Sequence, residues 1–377
     1  MIRRLVAFDT TSRESNLALI DFVRSYLDDF HVTSELVFDA ERRKANLYAT
    51  IGAADRGGIM LSGHTDVVPV DGQDWDSDPF TLRDEDDRLV GRGASDMKSF
   101  IAIVLAMVPD FIAARATTPI HLAFTYDEEV GCLGVRGLID LLAQRPVKPR
   151  CCIIGEPTLM RPVVSHKGKR SLRCHVHGHA SHSALSHAGV NAVEIAADLV
   201  SHIRRIARRK RDEGPFDPGF MPPYTTVHTG TIAGGTALNI VPRECRFDFE
   251  IRHLPGDDPD RIEAELREHA ASLLPEMRGV SAETGIVLDA YNAIPALATP
   301  LDSEVVQLAQ SLTGANDAGK VSFGTEGGLY QQAGIPTVIC GPGSIEQAHR
   351  PNEWIALDQV RQCEDFLRRL ITRIAPQ

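Results

Sequence analysis

Short apolar runs alternate with helical patterns over both ends of the chain. Ile59-Met-Leu-Ser, Ile120-His-Leu-Ala-Phe-Thr-Tyr, Cys151-Cys-Ile-Ile and Thr337-Val-Ile-Cys are each flanked by Gly, Pro or charge, which predicts buried strands. Between them Leu17, Ile20, Val23, Leu27 and Phe30 recur at the helical period, as do Phe100, Ile101, Val104, Leu105 and Val108. Apolar strands interleaved with amphipathic helices predict an α/β fold with a mostly parallel sheet covered on both faces. The middle of the chain changes period. From Ser171 the residues alternate, with Leu172, Cys174 and Val176 on one face and Arg173, His175 and His177 on the other. A helix over Asn191 to about Arg211, strands over 225–232 and 244–251, a helix over Asp260 to about Leu274 and a strand over 283–289 follow. This β-α-β-β-α-β order predicts an α+β domain of residues 170–291 inserted into an α/β domain of 1–169 and 292–377.

Composition narrows the partners. A chain of 377 residues exceeds one ordinary core, in keeping with two domains. A formal charge of −11 argues against nucleic acid or an anionic membrane as partner. The one basic run, Arg204 to Arg211, closes a helical pattern and reads as a solvated helix end. No apolar stretch reaches the roughly 20 residues of a membrane span, nor does the N-terminus resemble a signal peptide. Seven scattered cysteines without a CxxC spacing suit reduced thiols, and together these features predict a cytoplasmic protein.

Five islands carry candidate chemistry: Ser-Gly-His64-Thr-Asp66, Gly-Ala-Ser-Asp96-Met-Lys, Tyr-Asp-Glu128-Glu129, Ile-Gly-Glu156-Pro and Gln-Ala-His349-Arg-Pro. In an open parallel sheet, ligands collect at the carboxyl ends of the strands, and four predicted strands end at or near these residues. Two imidazoles and several carboxylates are the donor set of zinc, and two ions about 3.5–4 Å apart can share one carboxylate. Hydrolysis also needs an acid left off the metals to take a proton from water. Residue types alone do not say whether Glu128 or Glu129 is that acid. Asp66, two residues from His64, could accept the imidazole's other N–H. The stretch His175-Val-His177-Gly-His179 alternates on an exposed strand face and reads as surface, not as a metal site.

The same residues closely resemble the di-zinc amidohydrolase family of acetylornithine deacetylase, succinyl-diaminopimelate desuccinylase and glutamate carboxypeptidase. The motifs are Ser62-Gly-His64-Thr-Asp66-Val-Val-Pro69, Gly91-Arg-Gly-Ala-Ser-Asp96-Met-Lys98, Asp127-Glu128-Glu129-Val-Gly131, Gly155-Glu156-Pro157 and Gly341 to Trp354. The resemblance implies two Zn2+ per subunit (Co2+ as a substitute), with His64, Glu129, Glu156 and His349 as terminal ligands and Asp96 as the bridge. It implies Glu128 as general base, Asp66 as the group orienting His64, and the insertion as a lid that also forms a homodimer. His182 would then stabilise the oxyanion in the partner's site. Arg170, Asn239, Arg252, Thr325 and Glu326 match substrate-binding positions, with Glu326 expected to meet a distal ammonium. The implied reaction is deacetylation of N2-acetyl-L-ornithine to L-ornithine and acetate, a step of arginine biosynthesis. Other N-acyl amino acids (acetylcitrulline, acetyl-diaminobutyrate, succinyl-diaminopimelate), dipeptides and a metal-free binding role are the alternatives.

Overall fold

The computed structural model describes residues 1–376, which divide into two compact units, 1–165 with 297–320 and 325–376, and 166–296 with 321–324. The first unit is built on a nine-stranded sheet. Its centre is four parallel strands in the order Ile120–Thr125, Ile59–His64, Cys151–Pro157 and Thr337–Gly341. Antiparallel strands flank them, Ala45–Ile51 against the Ile120 strand and Val163–His166 against the Thr337 strand. The parallel reading therefore holds for the core of the sheet but not for its edges.

All residues of the four central strands are buried, as strands covered on both faces require. The Lys98–Ala106 helix shows why: every residue but its last is buried, so it lies inside the unit and not on its surface. The Leu357–Ile374 helix is amphipathic instead, burying Cys363, Phe366, Leu367, Leu370 and Ile374. From the Ile59 strand the chain moves to one side to form the Ile120 strand, then crosses back to form the Cys151 strand. That reversal leaves a crevice at the carboxyl end of the Ile59 strand, where His64 stands.

The second unit is a four-stranded antiparallel sheet in the order Thr226–Gly234, Glu244–His253, Gly168–His177 and Gly285–Ile294. Leu172, Cys174, Val176, Phe247, Phe249 and Ile251 share a core with apolar residues of the Ala192–Glu213 and Pro259–Val280 helices. The opposite face carries charged pairs such as Arg173 with Asp248 at 2.8 Å. Asn191 caps the first helix by accepting from the Val193 and Glu194 N–H groups. The basic run is a solvated helix end as expected, its arginines exposed and Lys210 half-buried. Arg209 pairs with Glu265 at the second helix, and Lys210 pairs with the buried Asp257 at 2.7 Å, so both cations join structural ion pairs.

All seven cysteines are free and buried. Among the described residues, no helix is long and apolar enough to cross a membrane.

Close packing fixes the ends of the central strands. A Cβ placed on Gly155 would lie 2.0 Å from Cγ of the buried Phe100 ring, and one on Gly341 would lie 2.0 Å from the Gly155 carbonyl oxygen. Neither neighbour is a flexible chain end. Gly155→Ala should therefore destabilise the protein by about 3 kcal/mol through overpacking. Denaturant unfolding checks this, and an unchanged midpoint would show that the contact relaxes freely.

Candidate active site

His64 is the last residue of its strand, and Glu156 is the sixth of the seven residues in the Cys151 strand. Glu128 and Glu129 follow the Ile120 strand in a tight turn. Asp127 there has a left-handed backbone (φ 56), and its carboxylate takes Lys44 Nζ at 2.5 Å. Asp96 ends the Gly91–Ser95 loop, and its peptide bond to Met97 is cis. His349, half-exposed and also left-handed (φ 65), comes from the loop after the Thr337 strand.

These side chains converge on one point. His64 Nε2 lies 3.0 Å from Asp96 Oδ1 and 3.6 Å from Glu156 Oε1. His349 Nε2 lies 3.4 Å from Asp96 Oδ2 and 3.0 Å from Glu129 Oε2. Asp96 thus presents one oxygen to each imidazole. Ligand atoms of His64, Glu128 and Glu156 lie within 4.8 Å of one another, as do those of His64, Asp96 and Glu129. The shortest contacts nevertheless sort the cluster into a His64–Glu156 side and a His349–Glu129 side about Asp96.

The electrostatics are crowded. Burial, then repulsion from Asp96, holds the Glu156 carboxyl well above its usual range. Burial holds Glu128 well above its usual range too, with Glu129 and Asp96 adding to the effect against the pull of His64. Glu129 is pushed up to about 7 by burial and then Asp96. Burial would raise Asp96 as well, but hydrogen bonds with His349 and His64 hold it far below the ordinary carboxylate range. His349 is raised to about 10 by its bonds to Asp96 and Glu129. So many buried acids at one point call for positive charge among them. Imidazole nitrogens and carboxylate oxygens are a donor set that zinc accepts, and the residues present fit two ions.

Asp66 differs from expectation in detail. The nearest acceptor for His64 Nδ1 is the Asp66 backbone carbonyl at 2.9 Å, and the carboxylate stands 3.5 Å away. That carboxylate instead accepts from Ser12 Oγ at 2.7 Å and from the Glu128 and Glu129 N–H groups at 3.1 and 3.3 Å. The carboxylate therefore aims the acidic turn, while the backbone carbonyl aims the histidine. Cys132 Sγ stands 3.5 Å from Glu128 Oε1, and burial, with Glu128 adding to it, keeps this thiol protonated.

The remaining candidates are placed unevenly. His182 and Asn239 are exposed neighbours on the second unit, where the Ser183 N–H donates to the Asn239 carbonyl at 3.0 Å. Arg170 has partners within its own unit. It shares the alternation of Leu172, Cys174 and Val176, so it faces the helices and donates to Asp260 and, at 2.9 Å, to Glu263. Arg252 lies on the other face and bonds Glu250 at 2.7 Å. Thr325 is buried and caps the next helix by accepting from the Gly327 N–H. Glu326 is 2% exposed, and burial pushes its carboxyl up to about 7, opposed by Thr125. Its Oε1 is buried without a hydrogen-bond partner.

Ser12, Asn16, Arg92 and Glu353 support the site without having been singled out. Asn16 bonds Ala45 through both its oxygen and its nitrogen, and also reaches Thr65, which neighbours His64. Arg92 and Glu353 lie within the quoted motifs, whereas Ser12 and Asn16 are far from any island in sequence, and all four are polar residues that the fold buries.

A family model described as peptidase family M20/M25/M40 matches residues 60–373. The chain belongs to this family. It is 34% identical over 370 residues to an acetylornithine deacetylase from Pectobacterium carotovorum, spanning 97% of this chain and 93% of the relative. An M20 family metallo-carboxypeptidase from Sulfolobus solfataricus superposes with a TM-score of 0.76 at 18% identity, covering 98% of this chain and 97% of the other. A dinuclear metal-binding peptidase of the M20 family from Bacillus subtilis superposes at 0.70 and 14% identity, covering 100% and 96%. These two structures share the fold. Family membership makes the chain a metallohydrolase by kinship, with a recognisable cluster for the metal.

Without metal, the cluster should make stability depend on pH. His349, its pKa raised, confers stability that is complete below about pH 6.5 and lost as pH rises toward 10. Glu129 also binds its proton more tightly when folded, so its contribution falls as pH rises from 4.5 through about 7. Both act in the same direction. Chelator-treated protein should melt at a lower temperature at about pH 8.5 than at about pH 6, and saturating Zn2+ should abolish the difference. A higher melting temperature at the alkaline pH would contradict this reading.

Proposed function

We propose that this chain deacetylates N2-acetyl-L-ornithine, releasing L-ornithine and acetate for arginine biosynthesis in the cytoplasm. Support comes chiefly from the central carboxylate of Asp96, set between two imidazoles that each have a second acid beside them. Similarity to acetylornithine deacetylases across nearly the whole chain supports the choice of substrate.

His64 and Glu156 would hold one Zn2+ (or Co2+), His349 and Glu129 the other, and Asp96 one oxygen on each. When bound, the ions supply Lewis-acid polarisation of the acyl carbonyl and make water more acidic. Glu128 accepts the proton of the attacking water and returns it to the departing amine. Burial among other acids gives its carboxylate a high proton affinity. Asp66 fixes the turn that aims Glu128, and its backbone carbonyl fixes the orientation of His64.

The oxyanion donor in this reading is His182, reaching the partner's site in a homodimer formed through the second unit. Its Nδ1 accepts from the Ala184 N–H at 3.1 Å, so in the neutral ring Nε2 carries the proton and is left to donate. The surrounding surface supports an interface: residues 230–240 are all exposed, including Ile232, Leu238 and Ile240, and Leu185 stands near His182.

Two experiments test this reading. Across a panel of acetylornithine, acetylcitrulline, acetyl-diaminobutyrate, succinyl-diaminopimelate and dipeptides, kcat/KM should be highest for acetylornithine. A preference for any other member would reassign the substrate. Separately, Glu128→Ala and His182→Ala should each lose at least about 100-fold in kcat. Mixing the two inactive variants should restore roughly a quarter of wild-type activity, because half the dimers then carry one complete site. Mixtures that stay inactive would confine His182 to its own subunit or remove it from catalysis.

A further inference from the structure

We propose that Glu353 is a positioning residue that holds the Asp96 carboxylate between the two imidazoles, and that Arg92 and Gln73 carry its hold on to His349. The proposal rests on reading Asp96 as the ligand shared by two ions. Glu353 immediately precedes the Trp354–Ala356 strand, which pairs with Arg88–Val90 in the register Trp354 to Val90. The Gly91 N–H also donates to the Glu353 carbonyl at 2.8 Å. The backbone of Glu353 is therefore planted beside the loop that leads to Asp96.

Its side chain, 1% exposed, turns into that loop. Oε1 accepts from the Ser95 N–H at 2.7 Å and the Asp96 N–H at 2.9 Å. Oε2 accepts from the Gly93 N–H at 3.0 Å and Arg92 Nη1 at 2.8 Å. Four donors thus fill the four acceptor positions of one carboxylate. A buried ion pair is tolerated when its remaining hydrogen-bonding positions are used, and here they are used on the backbone that orients a ligand. The Asp96 backbone, from which its carboxylate is aimed, cannot shift without breaking bonds to a buried charge.

The same network reaches the second histidine. Arg92, also 1% exposed, gives Nη2 to Gln73 Oε1 at 2.6 Å and Nη1 to the Arg350 carbonyl at 3.3 Å. Trp75 lies 5.1 Å under its guanidinium and donates Nε1–H to the same Gln73 oxygen at 3.0 Å. Gln73 Nε2 then donates to the His349 carbonyl at 3.0 Å. A second link between the two loops runs from Ser95 Oγ to the Ser344 backbone, at 3.1 and 3.2 Å. The spacing of Asp96 from His349 is thereby set by groups that touch neither metal nor substrate.

Glutamine at position 353 keeps the shape but turns one acceptor into a donor facing N–H groups. Metal-stripped protein should be titrated calorimetrically with Zn2+ and Co2+. In Glu353→Gln one ion should bind near wild-type affinity and the second about 10–100-fold more weakly, with kcat falling and KM nearly unchanged. Gln73→Ala severs only the His349 branch, so it should weaken the second ion less while leaving the melting temperature unchanged. Wild-type affinity for both ions in a folded Glu353→Gln protein would overturn the proposal. Should Glu353→Gln fail to fold, undiminished binding of both ions by Gln73→Ala would overturn it instead. A wild-type protein that takes up a single ion would refute the two-ion reading itself, and the proposal with it.

Discussion

The constraint on which this structure turns is the mutual repulsion of four acids gathered around two imidazoles, Asp96 and Glu156 buried and Glu128 and Glu129 half-buried. Water would screen such a cluster, but the fold removes most of it. Protons can relieve the repulsion, as the raised proton affinities of three of the acids show. Divalent cations relieve it more completely, because they attract every carboxylate at once. The surrounding polar groups make sense in that light: Ser12, Asn16 and Lys44 bind the turns beneath the acids and keep them from splaying apart.

The parallel strands meet this constraint economically. Neighbouring parallel strands end at similar heights, so residues just past those ends become neighbours without a dedicated scaffold. His64, the Glu128–Glu129 turn and Glu156 use this directly. Asp96 and His349 do not, because both come from loops, and loops need bracing. The bracing lies in the small sheet that carries Trp354 and in the polar network beneath Asp96. The second unit follows another logic. Its antiparallel sheet has one apolar face under two helices and one charged face, and His182 and Asn239 lie exposed beyond the ends of its strands.

Much of this was legible in the sequence. Short apolar runs identify buried strands because a strand covered on both faces has no polar alternation, and the acids beside them identify the crevice. The period-two pattern from Ser171 also identified the antiparallel sheet. The surroundings that the sequence did not convey have a common physical origin. Arg170 follows the parity of Leu172 and so faces the helices, which the alternation already implied, but its charge suggested a ligand. Thr325 and Glu326 are polar residues whose burial depends on tertiary packing that no local pattern records. Glu353 acts through backbone N–H groups, and those have no sequence signature.

The central sheet has a consequence for how the chain assembles. Thr337 pairs with Cys152 across nearly half of these residues, so the sheet cannot be completed until Thr337 has been made. Long-range parallel pairing of this kind is slow to form. The second unit offers a remedy, because its two ends already meet: Gly168 lies against Ala296, and Lys169 pairs with Ile294. Once that unit has folded, the chain separating Cys152 from Thr337 shortens in effect from about 185 residues to about a third of that. The insertion thus acts as an internal clasp that keeps the Thr337 strand within reach of its neighbour.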